Sequence, residues 1–355
     1  MFVLMKIREK FFTIASALGA LAIFCHACGR PVEKSVAVDK NLVDAVALED
    51  CFRMESCITL KEDESAPMRG ISKLVCRNNM IYVSDGRGIF VFDENGLFKQ
   101  SLRNQGRGPG EYLRISDFSV GDDAVYIMDS NRKILEYDAN GKFVKDADLD
   151  DYYASMYLYC DKLYLVSANQ NPGNKIHRWD AASLQEEAAF CDIPDADLKY
   201  RHFMGAISFF EAKDGLLFHE SLNNVVSRVE DDSLLPFCRF DFYGSSAPDS
   251  FWSESFMDVM DVFGRLKQNG YSAGLPYFAM DHGTMLYHFS APDGRRLMGI
   301  WSDEGKRQFQ FDAFALPGGD IVPLDQIGKF FYGYDDMYLV LERENSFELM
   351  KVRLR

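Results

Sequence analysis

The side chains best suited to bind or transform a ligand stand in polar turns that separate short apolar segments of this sequence. Six arginines occupy such turns: Arg87, Arg107, Arg132, Arg295, Arg296 and Arg343. A guanidinium presents a planar fork of N–H donors that fits a carboxylate, a phosphate or sugar hydroxyls. The same arginines also suit a solvated rim in which each pairs with a nearby aspartate. The sequence alone leaves both interpretations open.

Polar neighbours in these turns complete the candidate ligand-binding set. Its members are Arg87, Arg107, Glu111, Asn131, Arg132, Asn169, His219, Asn223, His288 and Arg295. Arg107 and Glu111 belong to the segment Gly-Arg-Gly-Pro-Gly-Glu-Tyr at 106–112. Either this segment presents both side chains to a ligand, or its glycines and Pro109 build a tight crossover in which Glu111 accepts backbone N–H groups.

Established catalytic and metal-binding motifs are missing from the sequence. It contains no GxSxG elbow, no HExxH and no P-loop. The acidic runs at 146–151 and 192–197 lack the glycine and terminal glutamate of an EF-hand at the right spacing. We therefore expect no catalytic residue, no bound metal and no cofactor.

The elements that must position these turns are short strands. Residues 106–149 contain four strand-like segments, at 115–120, 124–128, 134–137 and 142–149, each followed by a turn signal. Asn140-Gly141 supplies the positive φ angles of a tight hairpin turn. A meander of four antiparallel strands in about 40–45 residues is typical of one propeller blade. A single blade cannot bury both of its faces, so further copies are expected.

The second strand of that unit recurs along the chain as a turn residue followed by apolar residues. Its equivalent positions, which are 38 to 69 residues apart, are Tyr82, Tyr126, Tyr164, Leu217, Leu286 and Tyr338. Six copies predict an all-β fold, a six-bladed β-propeller of four-stranded antiparallel blades. The alternative is a long β-sandwich, which does not keep a blade-length period.

The predicted propeller spans residues 50–355 and closes through its own ends. The predicted blades cover 71–102, 106–149, 154–193, 203–242, 275–314 and 327–354. Residues 51–60 form an extended segment before the first complete blade. We expect this segment to pair as the outermost strand of the sixth blade, so that truncating either end loosens the whole ring.

One helical insertion is predicted between blades four and five, at 250–268. Its apolar stripe is Trp252, Phe256, Val259, Met260, Phe263 and Leu266. Asp249-Ser250 would cap its start and Asn269-Gly270 would end it. The stripe either packs on the blade edges or covers a central pocket.

The first 27 residues predict an export signal. A basic region precedes a short apolar stretch, and Ala27-Cys28 resembles the cleavage and acylation site of a bacterial lipoprotein. Lipidation of Cys28 would hold the protein at a membrane surface, and residues 28–49 would form a tether. An ordinary secretory signal and a retained membrane anchor are the alternatives.

The chain is acidic, with a formal net charge of −15 and 47% hydrophobic residues. This charge argues against nucleic acid as a partner and against electrostatic docking on anionic lipid. Six cysteines follow Cys28: Cys51, Cys57, Cys76, Cys160, Cys191 and Cys238. An exported protein could oxidise them, but their spacing and apolar surroundings favour buried thiols without a zinc site.

Several segments of the sequence resemble a known family of repeat proteins. The segments at 106–112, 117–120, 125–129 and 137–144 resemble an NHL-type repeat. Together with 218–236 and Leu-Pro-Gly-Gly-Asp at 316–320, they are similar to exported six-bladed β-propeller lipoproteins of Gram-negative gut-type bacteria. The resemblance departs at 223–226 and at the irregular lipoprotein signal. It implies the fold and leaves the activity open.

Propeller topology predicts where function is located. The turns between second and third strands and the connections between blades share one end of the ring, here called the B–C end, and the candidate set falls there. We expect a membrane-tethered, non-catalytic propeller, in the outer membrane, that binds a saccharide, a peptide or an envelope protein on this end. The resemblance to NHL-like propellers implies an alternative, a metal-dependent hydrolase or lyase using Glu220, Asn169, Asn223 and His288. A structural envelope scaffold is the third possibility.

Overall fold

The computed structural model describes most of the 355-residue chain. The described residues are 34–38, 42–61, 67–168, 172–193, 209–213, 215–242, 244–252, 254–272, 274, 278–281, 283–302, 307–316, 319–324, 330–332, 337–343 and 346–355. Cys28 and Asn169 lie outside them, as does the side chain of Arg343.

The described chain begins with short strands and a single helical turn. In order these are β1 (Lys34–Ala37), β2 (Leu42–Val43), β3 (Val46–Ala47), α1 (Leu48–Cys51) and β4 (Phe52–Leu60). Three four-stranded antiparallel sheets follow, each a simple meander. Sheet I contains β5 (Lys73–Arg77), β6 (Met80–Ser84), β7 (Ile89–Asp93) and β8 (Phe98–Leu102). Sheet II contains β9 (Ile115–Val120), β10 (Ala124–Asp129), β11 (Lys133–Asp138) and β12 (Phe143–Asp148). Sheet III contains β13 (Tyr153–Tyr159), β14 (Lys162–Ser167), β15 (Asn174–Asp180) and β16 (Gln185–Asp192).

The second half continues the same pattern with one smaller sheet. Sheet IV contains β17 (Phe209–Ala212), β18 (Gly215–His219), β19 (Val225–Glu230) and β20 (Ser233–Asp241). Two helices follow, α2 (Asp249–Trp252) and α3 (Val259–Asn269). Sheet V contains β21 (Phe278–Asp281), β22 (Thr284–Ser290), β23 (Arg296–Ser302) and β24 (Arg307–Phe311). Sheet VI contains β25 (Ala313–Ala315) and β26 (Ile321–Pro323) together with β3. Sheet VII contains β27 (Phe330–Tyr332), β28 (Met337–Arg343) and β29 (Ser346–Leu354) together with β4.

The predicted number of blades is wrong, because the described chain forms seven sheets and not six. The all-β propeller architecture with four-stranded antiparallel blades is confirmed. The extra sheet is sheet VI, whose strands are only two or three residues long. Strands this short are held together by backbone hydrogen bonds and contain no repeated apolar pattern. The prediction counted copies of the apolar second strand and therefore did not include this sheet.

Residues 34–47 also differ from the prediction, which treats residues 28–49 as a tether. β1 pairs in parallel with β20, β2 with β24, and β3 with β25. The start of the described chain therefore runs along the outer edges of sheets IV, V and VI, where it covers backbone groups that an edge strand leaves unpaired.

The predicted closure of the ring is confirmed. β4 pairs antiparallel with β29 over its whole length, from Leu60 opposite Phe347 to Phe52 opposite Leu354. The outermost strand of sheet VII thus comes from the start of the propeller and its other strands from the end. Apolar side chains of sheet VII, including Tyr338 and Leu349, pack against Phe90 of sheet I on the far side of this junction.

The core lies between successive sheets. Strands such as β6 and β10 are buried along nearly their whole length because each sheet is packed on both faces. First strands of neighbouring sheets contact one another, with β5 between β27 and β9, and β9 next to β13. The end of the ring on which a turn lies is set by the strand order within each sheet and not by the number of sheets. The turns after the second strands therefore share the B–C end.

The segment between sheets IV and V is helical in two pieces, which differs from the single helix predicted at 250–268. The second helix, α3, begins at Asp258, whose carboxylate accepts the backbone N–H of Asp261 at 2.9 Å. It ends at Gly270, which adopts a left-handed φ of 69°. Phe256 and Leu266 of the predicted stripe form a separate small core with Leu222, in the turn after β18. Met260 of the stripe is 71% exposed, so only part of the stripe packs on this blade turn.

The six cysteines of the described chain differ in burial. None of the six cysteines in the described chain is in a disulfide. Cys51 and Cys238 are buried, Cys76 and Cys191 are partly buried, and Cys57 and Cys160 are exposed, so the predicted burial is found only in part. Within the described residues, no helix has the length and apolar character required to cross a membrane.

The buried side chain of Phe52, on the closing strand β4, provides a test of the packing where the ring closes. Its side chain is 1% exposed and its ring centroid lies 5.8 Å from that of Phe314 in sheet VI. We expect Phe52→Ala to lower the free energy of unfolding by about 3–5 kcal/mol, measured by urea denaturation, because it empties a buried site. Met54 on the same strand is 46% exposed, and Met54→Ala is the matched control, with an expected change within about 0.5 kcal/mol. Equal effects of the two substitutions would contradict the packing described.

Candidate functional site

The B–C end of sheets I and II contains a cavity of about 430 Å³. Its lining residues come from the turn after β6 and from the connection between the two sheets; they are Asp85, Gly86, Arg87, Gln105, Leu113 and Arg114. We call it the cationic cavity, because two arginines and one aspartate line it. Arg87 was expected at this site from the sequence.

The turn after β6 is held by its aspartate. Asp85 Oδ1 accepts the backbone N–H groups of Arg87 at 2.8 Å and Gly88 at 2.9 Å. Gly86 has a φ of 82°, which favours glycine, and its carbonyl accepts the N–H of Ile115 at 3.0 Å. The carboxylate is therefore engaged with the backbone, and the Arg87 side chain extends into solvent.

Arg114 is the functional candidate that sequence reasoning missed. It is exposed, and its Nε lies 4.0 Å from the position that a Cβ on Gly86 would occupy. It stands two residues beyond the 106–112 segment, immediately before β9, in the same connection between sheets. Extending the candidate segment to the start of the strand would have included it.

The arginines of this end fall into two groups according to their partners. Arg87, Arg107 and Arg132 of the candidate set are exposed, as is Arg114, and none of the four forms an ion pair within the described part of the chain. Arg295 instead donates Nε to Asp293 Oδ2 at 2.7 Å and approaches Asp312 at 3.4 Å. Hydrogen bonding to Asp293 raises the pKa of Arg295. Arg295 thus matches the solvated-rim interpretation, whereas the first group does not.

Glu111 stabilises its own loop. Its Oε2 accepts the N–H of Gly108 at 2.7 Å, and a Cβ on Gly106 would stand 1.9 Å from the same oxygen. The next residue, Tyr112, is fully buried and donates its hydroxyl to the carbonyl of Leu102 at 2.8 Å. Burial raises the pKa of Tyr112 far above its usual range. These contacts favour the tight-crossover interpretation for Glu111, while Arg107 in the same loop remains exposed.

Asn131 and Arg132 lie in the turn after β10, next to the cationic cavity, and both are exposed. The guanidinium carbon of Arg132 is 5.5 Å from the ring centroid of Tyr152, which is within the range of a cation–π contact. Arg132 Nη1 also donates to the carbonyl of Asp150 at 3.3 Å.

The candidates of sheets IV and V are not part of this cavity. His219 is 1% exposed, and Asn223 Oδ1 accepts the N–H of Val225 at 3.0 Å within its own turn. Glu220, a candidate for the hydrolytic alternative, pairs with Lys175 Nζ at 2.6 Å. Among the described residues, no group of three or more His, Cys, Asp or Glu side chains is placed to hold a metal ion.

His288 is buried on β22, and burial together with the charge of Arg296 lowers its pKa to about 4. Its imidazole is therefore neutral near pH 7. A neutral imidazole can ligate a metal, but Glu220 and Asn223 lie together on one turn of sheet IV while His288 belongs to sheet V. Asn169, the remaining member of that set, lies outside the described residues.

Comparisons with known proteins support the fold. The family model described as "Domain of unknown function (DUF4934)" matches residues 34–302. No curated protein has a sequence that matches this chain. A crystal structure of a Bacteroides fragilis NCTC 9343 protein, classed as exported, is similar with a TM-score of 0.69 and 15% identity, covering 91% of this chain and all of that one. At this identity the likeness shows the fold alone.

Two other solved structures are more distant. The Pan2 WD40 domain of Neurospora crassa has a TM-score of 0.43 and 10% identity over 79% of this chain and 74% of its own. BamB from Moraxella catarrhalis has a TM-score of 0.41 and 9% identity over 84% of this chain and 97% of its own. Likenesses this weak carry no argument about function.

The lowered pKa of His288 predicts a pH-dependent stability. An unfolded histidine takes up a proton below about pH 6.5, whereas the folded one does so only near pH 4. The contribution of neutral His288 to the free energy of unfolding is thus complete above pH 6.5. It falls by roughly 3 kcal/mol as the pH is lowered toward 4. In urea denaturation at a series of pH values, His288→Gln should gain stability relative to the native protein over this window. Parallel stability profiles of the two proteins would contradict the prediction.

Proposed function

The chain belongs to the family described as "Domain of unknown function (DUF4934)", and on that premise we propose that it is an exported, lipid-anchored propeller that binds a ligand without transforming it. The ligand occupies the B–C end at sheets I and II. The ligand class is a saccharide, a peptide or an envelope protein, recognised through its anionic groups.

One observation carries this proposal. The exposed Arg87 and Arg114 line the same cavity, while Asp85, which also lines it, accepts backbone N–H groups through its Oδ1. Guanidinium groups that form no ion pair with the described residues, set on hydrogen-bonded turns, are well suited to bind an anionic group from outside. Their position on a protein with a formal net charge of −15 also makes this patch electrostatically distinct from the remaining surface.

Export and anchoring are supported by the sequence at the start of the chain. A basic segment, a short apolar stretch and Ala27-Cys28 have the order of a lipoprotein signal. The structurally similar Bacteroides fragilis protein is itself classed as exported. We place the mature protein in the cell envelope, attached to the outer membrane through Cys28.

Binding is tested with the purified protein on arrays of acidic and neutral saccharides and of peptides. We expect binding to anionic members that weakens about tenfold or more in Arg87→Gln and Arg114→Gln, since each substitution removes hydrogen bonds from a charged donor. Arg53→Gln is the control, because Arg53 lies on β4 near the opposite end of sheet VII and is 63% exposed in its side chain. Equal binding by all three variants would refute the assigned surface.

The anchor is tested by substituting the proposed acylation site. In a Gram-negative host fed a labelled fatty acid, the native protein should carry label and fractionate with membranes. Cys28→Ser should lose the label and move to the soluble envelope fraction, because it lacks the thiol that is acylated. Cys25→Ser, three residues upstream, serves as the control. Retention of the label in Cys28→Ser would contradict the proposal.

A further inference from the structure

A second cavity, of about 130 Å³, opens beside the cationic cavity on the B–C end. Its polar lining comes from sheet II and from the connection to sheet III and includes Ser116, Asp129, Ser130, Arg132, Asp151 and Tyr152. We call it the mixed cavity, because it combines an aromatic ring, hydroxyls and charges of both signs.

A wall of hydrogen-bonded backbone separates the two cavities. Asp129 Oδ1 accepts the N–H groups of Leu113 at 3.1 Å and Arg114 at 3.0 Å. The N–H of Ser130 donates to the carbonyl of Arg114 at 2.9 Å. Leu113 and Arg114 line the cationic cavity, whereas Asp129 and Ser130 line the mixed one. The two cavities are therefore neighbours on the B–C end.

Tyr152 gives the mixed cavity an aromatic surface. The residue is 46% exposed, and the Arg132 guanidinium packs against its ring. Its backbone is fixed, because its N–H donates to Asp151 Oδ1 at 2.7 Å. An exposed, positioned aromatic ring can cover the apolar face of a sugar ring, while its hydroxyl group remains available for hydrogen bonding.

The remaining groups of the mixed cavity favour a neutral, hydroxylated ligand portion. Ser116 and Ser130 are exposed and carry hydroxyls, which both donate and accept hydrogen bonds. The partly buried carboxylate of Asp151 can accept a hydrogen bond from a hydroxyl. Together with Asp129, which is 3% exposed and bonded to backbone N–H groups, it repels a second anionic group. An acidic peptide with successive carboxylates fits this combination poorly. A sugar chain that carries its charge at one position and hydroxyls at the next matches both cavities.

We propose, on the premise that the B–C end is the binding surface, that the ligand is an acidic saccharide chain. Arg87 and Arg114 hold a sugar carboxylate in the cationic cavity, and the adjacent sugar ring stacks on Tyr152 in the mixed cavity. Binding then depends on the length of the saccharide, because a single acidic sugar reaches one cavity only.

Calorimetric titration of the purified protein tests this inference. The probes are hyaluronan oligomers of increasing length, in which acidic and neutral sugars alternate, their methyl esters, oligogalacturonates, which carry a carboxylate on every sugar, and a poly-glutamate peptide. We expect at least one acidic saccharide to bind, with affinity that rises with length and falls at high salt. Tyr152→Ala should abolish the gain with length while Tyr152→Phe retains it, and Arg87→Gln should weaken every acidic oligomer about tenfold. Arg53→Gln should bind like the native protein.

Several outcomes would overturn the inference. Tighter binding of the methyl ester or of poly-glutamate would exclude an acidic saccharide, as would a Tyr152→Ala variant that keeps the native length dependence. Failure of both acidic saccharide series to bind would also refute it. If Arg87-dependent binding of an acidic peptide persists, the proposed function stands and only the ligand class is wrong. If no probe or array member binds, both proposals fail.

Discussion

The structure depends on the need to cover both faces of every four-stranded sheet. Strands such as β6 and β10 are apolar on both sides, so a sheet exposed on either face would leave a row of Ile, Val, Tyr and Met side chains in water. Stacking the sheets side by side around an axis covers both faces of every sheet except the outer faces of the first and the last. Pairing of β4 with β29 then joins the two ends of the chain, and Phe90 packs with Tyr338 across the junction. Stability is therefore a property of the whole ring and not of single blades.

Acidic and basic side chains have different roles on the B–C end. The carboxylates of Asp85, Glu111 and Asp129 accept backbone N–H groups of their turns, which fixes those turns. The arginines Arg87 and Arg114 are exposed and form no ion pair with a described residue. Where an arginine does meet a carboxylate, as Arg295 meets Asp293, the local charge is neutralised. The distinction depends on side-chain partners and not on residue type.

The sequence predicts the architecture better than it predicts the site. A repeat of apolar second strands indicates propeller blades, and the extended segment at 51–60 indicates the closing strand, because both involve long apolar patterns. Sheet VI and strands β1 to β3 leave no such pattern, since parallel pairing over two to four residues uses only backbone groups. Likewise the sequence places His219 in a polar turn, whereas the fold buries it to 1% exposure. Arg114 and Tyr152 enter the site through cavity shape, which no local pattern reveals.

The path of β1 has a consequence for how the molecule is presented to its surroundings. β1 is parallel to β20, the last strand of its sheet, and so runs toward the B–C end, which means that the chain enters the ring from the opposite side. Five residues separate Cys28 from Lys34, so the six steps between them span at most about 20 Å. A lipid attached at Cys28 would hold the ring close against the bilayer with its entry side inward. The arginine-bearing rim would then point outward, toward whatever diffuses past the membrane.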